Sequence, residues 1–112
     1  FWATWCGPCR KGLPEIQKVH DWAKKSGRSV AVYTVNLQDP PAEAMRFFDD
    51  AGLTIPVLMD TNARVGRAYG VKTIPQTVLI KDGTVRHVHT SLLPNMEKIL
   101  RDQIEELLKS DQ

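Results

Sequence analysis

The sequence predicts an α/β fold, a central mixed β-sheet flanked by helices, with an N-terminal strand cut short. Three observations carry this. Strand-like and helix-like patterns alternate along the 112 residues. The run SVAVYTVNL at 29–37 is β-branched and aromatic, as a buried strand should be. QTVLIKDGTVRHVHT at 76–90 sets Asp82-Gly83, a preferred two-residue turn, between two strand-forming runs. That hairpin gives the sheet an antiparallel edge.

Taken in order, Phe1-Trp2-Ala3 reads as the end of a strand. Residues 10–25 follow as a helix, with Leu13, Ile16, Val19 and Ala23 at helical spacing and charges between them. Pro14 should kink it and Gly27 should close it. After the 29–37 strand, residues 39–52 read as a helix, with Asp39 and two prolines at its start and Gly52 at its end. Residues 55–60 are a short extended piece. Residues 61–70 form a short helix with Thr61 or Asn62 as the cap candidate. Beyond the hairpin, residues 94–110 make an amphipathic helix with Met96, Ile99, Leu100, Ile104, Leu107 and Leu108 on one face. Trp2 and the Phe47-Phe48 pair read as core, and Trp22 as a helix face packed locally.

Composition excludes several classes of function. The chain is 42% hydrophobic and 25% charged with a net charge of +2, and its Lys and Arg are scattered, so no nucleic-acid patch is expected. No apolar run approaches the roughly eighteen residues that span a membrane. The length suits one domain, 1–112. Its abrupt apolar start leads to the expectation of a monomeric domain cut from a longer chain.

The chemistry points to the only two cysteines, Cys6 and Cys9. A bridge between them closes a tiny loop and removes little unfolded-state entropy, so it is a poor structural staple. Cys6 falls where the strand stub gives way to a helix, where unpaired N–H groups and a positive dipole lower a thiol pKa. Arg10 and Lys11 add positive charge one turn in. Cys9 follows three residues later, within bridging reach, and Gly7-Pro8 keeps the turn compact. An attacking thiol with a resolving thiol has this arrangement. A zinc half-site is the alternative, with His87 and His89 sharing a strand face. His20 lies too far along its helix, about 21 Å from Cys6 at 1.5 Å per residue, to join it.

Trp5-Cys6-Gly7-Pro8-Cys9 resembles the active-site motif of the thioredoxin family. FWATWCGPCR followed by Pro14 is similar to the bacterial TlpA/ResA-like branch of thiol–disulfide oxidoreductases. VKTIPQTVLIKDGTV at 71–85 resembles the family's cis-proline segment, and residues 38–70 resemble the insertion of that branch. The resemblance covers nearly the whole chain. It implies a thioredoxin-like fold with an extra helix and strand in the middle. It implies that Cys6 is the exposed nucleophile and Cys9 the buried resolving thiol. Trp5 and Pro8 would shape the rim around Gly7. Pro75 would be cis and face the cysteines, and Ile74 would pair its backbone with an extended substrate. Gly12, Gln76 and Thr90-Ser91 depart from residues common in relatives.

The implied activity is reduction of protein disulfides, with a reducing dithiol partner to reset the pair. No bound cofactor and no metal are needed, because the two sulfurs carry both electrons. An extracytoplasmic setting is favoured over a cytoplasmic one. A partner-binding module with idle cysteines is the alternative function.

Overall fold

The computed structural model describes residues 1–109. The order of elements is α1 (Gly7–Lys25), β1 (Thr34–Leu37), α2 (Pro41–Ala51), β2 (Val57–Asp60), α3 (Arg64–Ala68), β3 (Thr77–Lys81), β4 (Thr84–His89) and α4 (Met96–Lys109). The sequence predicts this order throughout. Ser110, the last residue expected in the final helix, lies outside the described residues.

The strands are mixed and flanked by helices, as expected, but divided in two. Instead of one continuous sheet, the strands form a parallel pair, β1 with β2, and an antiparallel hairpin, β3 with β4. The N-terminal stub hydrogen-bonds to both sides. Trp2 pairs with β1 in parallel, through Trp2 N–H to Val35 carbonyl at 3.0 Å and Leu37 N–H to Trp2 carbonyl at 2.9 Å. Phe1 exchanges bonds with Gln76, just ahead of β3: its amino group donates to the Gln76 carbonyl at 2.8 Å and Gln76 N–H donates back at 3.3 Å.

Phe1, residues 29–33 and β3 line a cleft of about 670 Å³. The expected strand over 29–37 is accordingly only Thr34–Leu37. Among the described residues no strand lies beside 29–33, and a ladder forms only where a neighbour can take its N–H and C=O groups. Tyr33, Leu58 and Ile80 line the cleft and are exposed.

Local chemistry sets the ends of the elements. Asp82 and Gly83 both take positive φ, 52° and 76°, as the expected hairpin turn requires. The hairpin carries one irregularity in register, between Leu79 and Ile80. Gly52 ends α2 in the left-handed conformation. At α1 the cap is Ser26, with Gly27 following at φ 67°. The helix runs through Pro14 as one element.

The starts of α2 and α3 differ from the sequence reading. The α2 cap position is Pro40, with no side-chain bond, and Asp39 is engaged elsewhere. Pro41 has no N–H to satisfy, so the first turn makes less demand on a capping oxygen. Asn62 does accept from Arg64 N–H at 3.1 Å, but the main acceptor for α3 is Asp60. Its carboxylate takes Val65 N–H at 3.2 Å and Gly66 N–H at 2.8 Å.

Two buried clusters hold the elements together. One gathers Trp2, Cys6, Cys9, Leu13, Ala44, Phe48, Leu53 and Ile55. The other sets Val19 of α1 against Met96, Leu100 and Ile104 of α4. Ile16 and Val32 pack on both. Trp2 stacks on Phe48 at 5.0 Å between ring centroids, which ties the stub to α2. Trp22 lies between the guanidinium groups of Arg28 and Arg101, at 5.4 and 4.8 Å from its ring.

Candidate active site

The site begins with a turn. Trp2 is fixed to β1, Ala3 is fully buried, and Cys6 N–H closes back on the Ala3 carbonyl at 3.2 Å. The chain then enters α1 with Gly7 and Pro8 in its first turn, where the missing N–H of proline costs nothing. Cys6 is thereby the N-cap residue of α1, with extended backbone at φ −90° and ψ 108°. Its Sγ accepts the Cys9 N–H at 3.2 Å, in the place a Ser or Asp oxygen usually holds.

Cys6 and Cys9 are joined as a disulfide with their Cα atoms 5.2 Å apart. This is the oxidised form of the expected pair. In the disulfide form the Cys9 N–H points at Cys6 Sγ, a place where a thiolate would meet a donor and the positive end of α1. No acidic residue occupies the first turn of α1 to oppose it. Arg10, one turn in, keeps its positive charge and lays its guanidinium over Phe47 of α2 at 5.6 Å.

Burial corrects one implied feature. Cys6 is 5% exposed, so the expected exposed nucleophile is nearly covered in the disulfide form, and Cys9 is covered further at 1%. The cover over Cys6 includes the segment opposite. Cys6 Sγ lies 3.7 Å from the Ile74 carbonyl oxygen, to which a reduced thiol can donate. The Ile74–Pro75 peptide is cis. Around this point Gly7 and Pro8 are exposed and Trp5 projects with 74% of its surface open. The structure therefore brings Cys6, Cys9 and Ile74 together, and Trp5, Gly7 and Pro8 flank them along the chain.

The histidines lie elsewhere. His87 and His89 stack on one face of β4 at 6.4 Å, and His89 Nε2 shares a hydrogen bond with Gln103 of α4 at 2.8 Å. Among the described residues no group of three or more His, Cys, Asp or Glu side chains gathers as a metal site. A zinc site built on the cysteines therefore has no assembled ligand set there.

Two features near the site escape a reading of the sequence. Gly12, one turn beyond Cys9, is buried beneath Leu92, whose Cδ1 would lie 3.2 Å from an added Cβ. The helix and the loop thus approach closely at the glycine, through a side-chain tip. The second is Asp39, buried at 6% exposure, which reaches across to Thr4. A carboxylate just before two prolines reads as a helix cap, so only the fold reveals this contact.

Comparison with known proteins agrees with this geometry. The Redoxin family signature matches residues 1–104. The thiol-disulfide oxidoreductase ResA of Halalkalibacterium halodurans is 33% identical over 112 residues, covering 99% of this chain and 61% of that protein. ResA of Geobacillus thermodenitrificans is 35% identical over 94 residues, covering 83% of this chain and 53% of that protein. The chain thus spans little more than half the length of the curated relatives it matches. StoA from Bacillus subtilis superposes with a TM-score of 0.79 at 27% identity, covering 91% of this chain and 76% of that one. The fold is thioredoxin-like.

Proposed function

Because the chain belongs to the redoxin family, we propose that it is a thiol–disulfide oxidoreductase that reduces protein disulfides through Cys6 and Cys9. The observation that carries this is the Cys6–Cys9 bridge at the start of α1, with Cys6 Sγ receiving the Cys9 N–H at 3.2 Å. In the reduced protein the Cys6 thiolate attacks a substrate disulfide. A mixed disulfide forms and one substrate thiolate leaves. The Cys9 thiolate then attacks Cys6 Sγ, the second substrate thiol leaves, and the Cys6–Cys9 bond is restored. Two electrons pass to the substrate, and a reducing dithiol partner returns them.

Cys9 is the more deeply buried sulfur, which supports its assignment as the resolving thiol. Ile74 and Pro75 offer the backbone against which an extended substrate lies, and Trp5, Gly7 and Pro8 form the open rim. The direction rests on Gly-Pro between the cysteines, which resembles the reducing members of the family. The reading extends to an extracytoplasmic setting, as resemblance to the TlpA/ResA-like branch implies. No helix among the described residues is long and apolar enough to cross a membrane.

The test is a pair of serine variants assayed on a disulfide-bonded protein substrate with a dithiol donor. Cys6→Ser abolishes reduction, and Cys9→Ser accumulates a mixed disulfide with substrate at Cys6. Reduction that survives Cys6→Ser overturns the proposal. So does partner binding that needs neither cysteine, in an intact protein with no redox turnover.

A further inference from the structure

We propose that Asp39 is a positioning residue for Cys6: with Asn36 it clamps the turn that holds the sulfur at the start of α1. This rests on the reading of Cys6 as the attacking thiol. Asp39 sits just beyond β1 and its carboxylate is engaged on both oxygens. Oδ2 accepts the Thr4 N–H at 2.7 Å and the Asn36 Nδ2–H at 2.8 Å. Oδ1 accepts the Thr4 hydroxyl at 2.9 Å. Asn36, fully buried, returns a bond by accepting Asp39 N–H on its Oδ1 at 3.2 Å. Gln38, between them, takes a positive φ of 63°, a conformation a non-glycine residue adopts only where its surroundings enforce it.

Thr4 is bonded to Asp39, just beyond β1, and Cys6 N–H itself returns to the Ala3 carbonyl. Ahead of Thr4, Trp2 is bonded on both sides of Asn36, and after it Trp5 is open to solvent. Asn36 and Asp39 thus form the fixed end of a short span, Thr4-Trp5-Cys6, whose other end is the first turn of α1. Bonds to a buried carboxylate are among the stronger neutral-to-ion hydrogen bonds, and leaving a buried donor unpaired is costly. A span this short transmits the anchor directly to the sulfur. When the disulfide opens, the clamp keeps Cys6 Sγ within reach of the Cys9 N–H rather than letting it swing outward with Trp5.

Charge and position pull in opposite directions here, which makes the role testable. Removing a negative charge can, by itself, only lower the Cys6 pKa. Losing the clamp raises it, because the thiolate leaves the helix N-terminus. The experiment follows alkylation of the reduced protein by iodoacetamide from pH 5 to 10, with mass spectrometry to assign the cysteine, for wild type, Asp39→Asn and Thr4→Val.

In wild type Cys6 reacts ahead of Cys9 at neutral pH. If it does not, the reading of Cys6 as nucleophile fails, and that failure is visible without any variant. Asp39→Asn raises the midpoint of Cys6 reactivity by about one pH unit. Thr4→Val, which keeps the carboxylate and loses only the hydroxyl bond, raises it by less. An unchanged or lowered midpoint in both variants overturns the proposal. If circular dichroism shows that Asp39→Asn does not fold, Thr4→Val decides alone, since it changes no charge.

Discussion

Gly12 shows how a single residue can look like a weakness and be a fit. In a helix interior glycine gives up roughly 1 kcal/mol against alanine. Its backbone here is helical, so no unusual φ requires glycine, and the nearest neighbour of a virtual Cβ is Leu92 Cδ1 at 3.2 Å. The contact is the tip of a half-buried leucine, which can give by a few tenths of an ångström. Gly12→Ala is therefore expected to stabilise the fold by less than about 1 kcal/mol. Gly12→Leu should destabilise it by about 1–3 kcal/mol through overpacking. Urea denaturation midpoints at a common m-value check both. The cysteine pair was legible at this scale because its motif is local. Asp39 was not, because its partner Thr4 lies 35 residues away and its neighbours spell a helix start.

Element by element, helices were legible nearly to their ends and strands only in part. A helix satisfies its own backbone, so periodicity locates α1, α2 and α4, with a glycine marking the end of the first two. A strand depends on what lies beside it. The β-branched run at 29–37 carries strand propensity throughout, yet only 34–37 pairs, because only there do β2 and the stub supply partners. Helix α3 is the opposite case, five residues too short to stand on its own. It is held by Asp60 at the end of β2, whose two carboxylate oxygens take the N–H groups of Val65 and Gly66. Asp60→Ala leaves the buried Gly66 N–H without its acceptor and should cost about 1–3 kcal/mol. Hydrogen exchange is the direct check: protection at Val65 and Gly66 should fall before protection in α1 or α4 does.

The whole molecule turns on the stub between its two strand pairs. Trp2 joins it to β1 through Val35 and Leu37, and on the other side Gln76 N–H donates to the Phe1 carbonyl at 3.3 Å.

Function at this scale comes from bringing residues far apart in sequence to one place. Cys6 at the start of α1 meets the Ile74 carbonyl, 68 residues on, across 3.7 Å. The central claim is that the two sulfurs at this junction act as one reducing two-electron couple. Its most direct measurement is a redox titration in graded thiol–disulfide buffers, trapping free Cys6 and Cys9 at each step. The account predicts a single two-electron transition, tenfold per about 30 mV, near the thioredoxin value of about −270 mV. A transition near about −120 mV, where the bridge is a strong oxidant, would contradict it, and so would two thiols that titrate independently.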